Sequence, residues 1–317
     1  MTAPVALYVG EELGRYGFPN GHPFGPDRQD AFWSETVAQA LDRQAMLRQP
    51  RSATREELLS FHTEEYVDYV SQLSDAGYGT IDYGDTPAYP GVFEASSAVV
   101  GSALDGLAAV MNGSCLRTFQ PIGGLHHARR DRAAGFCVFN ETGVLIEALR
   151  KQYGIKRIAY IDIDVHHGDG VYYSYDSDPD VIIADVHEDG RYLYPGTGRA
   201  EESGSGQAKG TKLNVPLPPG AGDEEFMHEW ERVAAHLRRF KPEFFMVQCG
   251  ADSLKGDPLA HLNYSAAAHA HAARSLCQLA NEYAQGRIMA FGGGGYNRRN
   301  LALAWNAVLK EFIEAKD

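Results

Sequence analysis

Cysteine is scarce in this chain. Only four occur in 317 residues, Cys115, Cys137, Cys249 and Cys277, and none forms a CxxC pair. That spacing argues against a disulfide scaffold and against a thiolate metal cluster, and predicts buried free thiols in a reducing compartment. Positive charge is also short. The chain has 29 Lys and Arg against 42 Asp and Glu, a net charge of −13. This balance argues against nucleic acid as a direct ligand. No apolar run approaches the length of a bilayer span. The first residues carry no basic segment followed by an apolar one, so no signal peptide is expected, and the cytoplasm is the expected location. No internal repeat, low-complexity segment or linker interrupts the chain, and one domain over residues 1–317 is expected.

What is present is ample apolar material, 44% of all residues, enough for a large core. The acidic surface would suit basic partners such as lysine-rich segments or polyamines, and equally would serve only to keep the chain in solution. Val5–Val9 reads as a strand, 10–26 as a surface loop, and Arg28–Leu47 as a helix from its apolar spacing. Thr54 opens a capping box, Thr63 caps a helix to about Leu73, and 75–91 is a long loop rich in Gly, Tyr, Asp and Pro. A buried helix is expected over Val92–Met111. Strands are then expected at 116–122, 157–165, 181–186, 212–217, 244–248 and 288–291. Helices fall at 140–152, 223–240, 265–283 and 297–312. Alternation of this kind predicts an α/β fold, a mainly parallel sheet flanked by helices on both faces.

The stretch Asp162-Ile163-Asp164-Val165-His166-His167-Gly168-Asp169-Gly170 stands out. Read as the end of a strand, it puts Asp162, Asp164 and His166 on one face. Carboxylates buried side by side are costly unless a cation or hydrogen-bond donors compensate, which points to a divalent metal. A solvated turn is the plainer alternative. In open α/β sheets ligands bind beyond the carboxyl ends of the strands. Four strand exits here carry chemistry: Gly123-Gly124-Leu125-His126-His127, the stretch above, Cys249-Gly250-Ala251-Asp252, and Gly292-Gly293-Gly294-Gly295-Tyr296. Asp164, His166 and Asp252 make an oxygen-rich three-ligand set suited to catalytic zinc, and iron(II) or cobalt(II) would also fit. Taken alone, Asp252 could equally be a helix cap. His126 and His127 suit acid–base work, with Asp162 and Asp169 free to orient them. Tyr296 could donate to a developing oxyanion, or be a core tyrosine in a turn. No GKS or GKT accompanies the glycine run, so a phosphate loop is a weak reading.

Together these motifs, with Gly135-Phe136-Cys137, Tyr194-Pro195-Gly196-Thr197-Gly198, Asp257-Pro258-Leu259 and Phe61-His62-Thr63, resemble the arginase-fold zinc-dependent deacetylases. These are the histone deacetylases and their bacterial acetoin-utilisation-type and histone-deacetylase-like relatives. The resemblance covers nearly the whole chain. It implies a single-domain deacetylase fold, with zinc on Asp164, His166 and Asp252. His127 resembles the general base and acid, oriented by Asp169, and His126 the second histidine, paired with Asp162. Tyr296 resembles the carbonyl-polarising tyrosine. Gly135, Phe136 and Tyr194 resemble the walls around an acyl-lysine stem, with Leu259 an apolar rim residue and Asp85 a grip on the substrate backbone. Arg28 resembles the arginine of an internal pocket. A structural potassium ion is implied at the carbonyls of Asp162, Asp164 and His166, with Asp185 and Val186.

The chain departs from the family pattern at Leu125, where an aromatic is common, at Tyr194, where phenylalanine is common, and at Asp185, where a hydroxyl residue is common. Leu259 stands where polyamine-selective relatives carry glutamate. The expected activity is removal of an acetyl or related acyl group from lysine side chains of proteins or peptides. The alternatives are a deacetylase of small acetylated amines such as acetylpolyamines, and a non-catalytic acyl-lysine binder. No membrane partner is expected, and no oligomeric state follows from the sequence.

Overall fold

The computed structural model describes residues 5–316, so the expected domain of 1–317 extends past the described residues at both ends. Eight strands form one sheet: β1 (Val5–Tyr8), β2 (Met46–Arg48), β3 (Arg117–Gln120), β4 (Ile158–Asp162), β5 (Val181–Glu188), β6 (Lys212–Leu217), β7 (Phe244–Gln248) and β8 (Ile288–Phe291). Their order is β2-β1-β3-β8-β7-β4-β5-β6, and every pairing is parallel. Parallel strands covered on both faces read as unbroken apolar runs. In β4, Ile158 and Tyr160 enter one core and Ala159 and Ile161 the other, and all four are buried.

Among the described residues, ten α-helices surround the sheet: α1 (Glu11–Gly14), α2 (Arg28–Ala38), α3 (Arg55–Leu58), α4 (Glu64–Ala76), α5 (Val92–Met111), α6 (Glu141–Tyr153), α7 (Asp169–Ser174), α8 (Asp223–Phe240), α9 (Ala266–Tyr283) and α10 (Arg298–Glu314). Helices α4, α5 and α6 pack into one core, and α8, α9 and α10 into the other. By length and composition α5 could cross a membrane, contrary to the expectation that no such run exists, but here most of it is buried inside the fold.

Several elements differ from expectation. The loop of 10–26 contains α1. The helix expected over Arg28–Leu47 stops at Ala38, with Ala40 at φ 55°, and Met46–Arg48 becomes an edge strand against β1. Apolar spacing cannot separate the two because sheet pairing overrides local periodicity. The third expected strand ends at Asp162 rather than Val165. Short α7 was not expected, and β5 runs two residues beyond Val186.

Candidate active site

The four chemistry-bearing exits belong to β3, β8, β7 and β4, which are consecutive neighbours at the middle of the sheet. All eight strands point the same way, so these exits open on one edge. The floor of the site forms there. The regular strand β4 ends at Asp162, short of the expected Val165, yet the alternation continues beyond it: Ile161, Ile163 and Val165 enter the same core, and Ile163 N–H still donates to the Gln248 carbonyl (3.0 Å). Local bonds shape the other face. Asp164 N–H donates to Asp162 Oδ1 (3.1 Å), and His166 N–H donates to Asp164 Oδ1 (2.9 Å). These local side-chain-to-backbone bonds steer Asp164 and His166 forward and leave Asp162 behind them.

Asp164, His166 and Asp252 are buried, and one ligand atom from each lies within 4.8 Å of the others. His166 Nδ1 is 3.0 Å from Asp164 Oδ1 and 3.3 Å from Asp252 Oδ2. Asp252 Oδ1 accepts from Val165 N–H, whereas its Oδ2 is buried with no hydrogen-bond partner. A Cβ on Gly250 would sit 2.0 Å from Asp164 Oδ2, and one on Gly294 would sit 2.0 Å from Asp252 Oδ2. The glycines thus allow the backbone to close around the carboxylates. Burial and the charge of Asp164 push the Asp252 carboxyl up to about 7. Against burial, the hydrogen bond that His166 makes to the Asp164 carboxylate and the charges of Asp252 and Asp164 push the imidazole up to about 10. Two carboxylates and one imidazole, with an Asp252 oxygen that no hydrogen bond satisfies, fit a bound divalent cation.

Behind this floor stand two histidine–aspartate pairs. His126 Nδ1 is 2.8 Å from Asp162 Oδ2, and His127 Nδ1 is 2.7 Å from Asp169 Oδ1. Burial and the neighbouring His126 lower His127 to about 4. Tyr296 is half-buried on the cleft wall, where desolvation and the charges of Asp252 and Asp164 raise its phenol well above the ordinary value and keep it protonated. Arg28 is buried beneath, donating to the Gly295 and Gly293 carbonyls, with its guanidinium carbon 3.9 Å from the Phe24 ring centroid.

A cleft of about 230 Å³ leads down to this floor, and Asp85, Gly135, Phe136, Tyr194, Leu259 and Tyr296 all line it. All five residues expected to contact substrate therefore meet at one opening. Gly135, at φ 53°, lies so close to His127 that a Cβ would approach the imidazole to 2.5 Å. Asp85 sits where burial, then Asp82, raises its carboxyl to about 6. The residues expected around potassium are adjacent, since Asp162 and Asp185 are register partners on β4 and β5. The Asp185 carboxylate accepts from Gly168 N–H (2.9 Å) and lies 2.6 Å from His187 Nδ1. Val186 follows it, buried, on the same strand.

Sequence reasoning missed several residues that build this arrangement. Gln248 donates to Asp164 Oδ2 (2.7 Å) and accepts from Gly250 N–H (2.7 Å). Its place at the last residue of β7 was the available signal. Tyr160 donates to Asp162 Oδ2 (2.6 Å), and Arg129 donates to Asp169 Oδ2 (2.7 Å). Thr86 links the 75–91 loop to the cleft wall by accepting from Phe136 N–H (3.1 Å) and donating to Asp82 (2.5 Å).

Comparison with known proteins gives the same picture. A family model described as the histone deacetylase domain matches residues 22–312. The acetoin utilization protein AcuC of Bacillus subtilis is 37% identical over 308 residues, covering 93% of this chain and 79% of that protein. The histone deacetylase RPD3 of Saccharomyces cerevisiae is 33% identical over 313 residues, covering 95% of this chain and 70% of that protein. A crystal structure of the HDA15 HD domain superposes with a TM-score of 0.89 at 28% identity, covering 99% of this chain and 89% of the other. Sequence and architecture agree across almost the full length, and the chain belongs to the histone deacetylase family.

Proposed function

We propose that this protein hydrolyses the amide of an acetylated lysine side chain in an extended peptide or protein, using a divalent metal held by Asp164, His166 and Asp252. Deacetylation follows from family membership. The metal-dependent mechanism rests most on one observation, the buried clustering of Asp164, His166 and Asp252 at the foot of the cleft, with an Asp252 Oδ2 that no hydrogen bond satisfies. Zinc bound there would supply Lewis acidity to a water and to the scissile carbonyl.

The chain's own residues do the rest. Gly135, Phe136 and Tyr194 flank the aliphatic stem, and Leu259 and Asp85 meet the substrate at the rim. His127 Nδ1 is occupied by Asp169, which leaves Nε2 to accept the water proton and return it to the departing amine. The protonated phenol of Tyr296 donates to the oxygen that gains charge in the transition state. His126, held by Asp162, stands beside His127 with ring centroids 4.0 Å apart. A potassium ion at Asp162, Asp164, His166, Asp185 and Val186 would offset the carboxylates packed behind the floor. Four buried free thiols support a reducing, cytoplasmic location, and the continuous eight-stranded sheet supports a single catalytic domain.

The test is a panel of acetyl-lysine peptides, longer-chain acyl-lysine peptides and acetylated polyamines, run with the metal stripped by chelation and then restored. Peptide turnover that vanishes with chelator and returns with zinc is expected. Turnover restricted to polyamines would replace the peptide reading. Turnover indifferent to chelation would remove the metal from the mechanism.

A further inference from the structure

The Asp169 carboxylate does not end the relay that begins at His127. Its Oδ1 faces His127 Nδ1 at 2.7 Å, and its Oδ2 accepts from Arg129 Nη2 at 2.7 Å. Asp169 is 3% exposed, so these two partners replace most of the water it would otherwise hold. Arg129 follows His127 by two residues, and its backbone is fixed separately by N–H donation to the Arg132 carbonyl (2.9 Å). Its side chain therefore reaches Asp169 without carrying the local turn. The guanidinium carbon lies 5.3 Å from the Tyr173 ring centroid, and Tyr173 in turn donates to Glu202 Oε2 (2.6 Å).

A carboxylate held at one oxygen can swing about its terminal torsion, which is broad and two-fold. Held at both oxygens by charge-assisted bonds, it has one orientation. The His127 ring needs that orientation. It lies against Gly135, with Tyr194 and His126 ring centroids at 5.1 Å and 4.0 Å, and the described structure gives it no side-chain hydrogen bond other than that to Asp169. A tilt of the carboxylate would pass directly to the imidazole.

Building on the hydrolase reading above, we propose that Arg129 is a positioning residue for the acid–base histidine, fixing Asp169 so that His127 Nε2 stays aimed at the reacting water. Arg129 is not among the residues that line the cleft. Its side chain is 29% exposed, so a space vacated there opens to solvent.

The holoenzyme and its Arg129→Ala, Arg129→Lys and Asp169→Ala variants test this on an acetyl-lysine peptide. Arg129→Ala should lower kcat about ten- to a hundredfold, the scale of a small misplacement of a catalytic group, with KM within about twofold. Arg129→Lys should lose less than Arg129→Ala. Millimolar guanidinium should restore part of the kcat of Arg129→Ala and none of that of Asp169→Ala. In protein carrying nitrogen-15 histidine, the His127 Nδ1 proton signal should be sharp in the parent chain and in Arg129→Lys. It should be lost to exchange in Arg129→Ala and recovered with guanidinium. An unchanged kcat and an unchanged signal in Arg129→Ala would overturn the proposal. So would a loss of kcat that follows a lowered melting temperature and that neither lysine nor guanidinium repairs. If the parent chain turns over no acetylated amine, the hydrolase reading fails, while the nitrogen-15 signal still reports whether Arg129 orders His127.

Discussion

His126 with Asp162 and His127 with Asp169 are the same motif built twice, at 2.8 and 2.7 Å, on consecutive residues. Their far ends differ. Asp162 is sealed among Tyr160, Asp164 and Asp185, and burial followed by the charges of Asp185 and Asp164 drives its carboxyl well above the ordinary range. Asp169 is buried too, but His127 and Arg129 outweigh burial and hold its carboxyl well below the ordinary range. One pair thus ends on crowded negative charge and the other on a cation that reaches solvent. Equal distances therefore do not imply equal roles. The surroundings of each aspartate decide whether its histidine faces a permanent anion, and in the outer pair, His127 with Asp169, the anion offsets part of the burial that lowers the imidazole.

The strongest way to break this comparison is to delete each imidazole. His127→Ala should reduce kcat by roughly two to four orders of magnitude, the usual worth of a positioned general base. His126→Ala should cost about tenfold, as expected of a partner that supports the site from behind. Steady-state kinetics on one acetyl-lysine peptide, with metal content checked in each variant, measures both. Equal losses would mean that the two histidines share the proton and that the aspartate surroundings do not distinguish them.

Both pairs were legible in the sequence, and what lies behind each aspartate was not. The strand exits pointed to His126, His127, Asp164, His166, Asp252 and Tyr296, because a parallel sheet delivers successive exits to one edge whatever the strand order. That β3, β8, β7 and β4 are neighbours could not be read, since strand order is set by long-range pairing. The face-sharing of Asp162, Asp164 and His166 was legible, since Ile163 and Val165 keep to the opposite core, but the side-chain-to-backbone bonds that set Asp164 and His166 ahead of Asp162 were not. The edge strand β2 was hidden inside a helical spacing because its pairing with β1 is long-range. Arg129 was invisible because nothing local marks an arginine two residues past a histidine as the partner of an aspartate forty residues on.

Neutralising each aspartate sharpens the comparison through stability. In metal-free protein, Asp169→Asn should lower the melting temperature at pH 7 by about 4 °C, from about 2 kcal/mol lost with the buried pair, reduced because Arg129 reaches solvent. Asp169 has a depressed folded value. Its contribution is complete above the unfolded carboxylate range and is lost only as pH falls toward the folded value. The gap between parent and variant should therefore persist down to about pH 4 and close below it. Asp162 has a raised folded value, so its charged form opposes folding at neutral pH. Asp162→Asn should melt no lower than the parent at pH 7. A melting temperature lowered by the same amount in both variants would show that Asp162 is as well compensated as Asp169.

The weakest expected effect lies at the far end of the outer pair, where Tyr173 lies beneath the Arg129 guanidinium. A partly exposed cation–π contact contributes about 0.5 kcal/mol, which corresponds to about a twofold change in rate if the contact helps to aim Arg129. Tyr173→Leu should lower kcat by about that factor and leave KM unchanged. Tyr173→Phe should leave kcat alone, since it keeps the ring and gives up only the bond to Glu202. The inner pair offers no equivalent handle, because Tyr160 is fully buried and donates directly to Asp162. A twofold step for leucine without one for phenylalanine would mean that the outer pair extends through Arg129 to the surface. A flat response to both would place its end at Arg129, and a loss with phenylalanine alone would shift the support to the Glu202 loop.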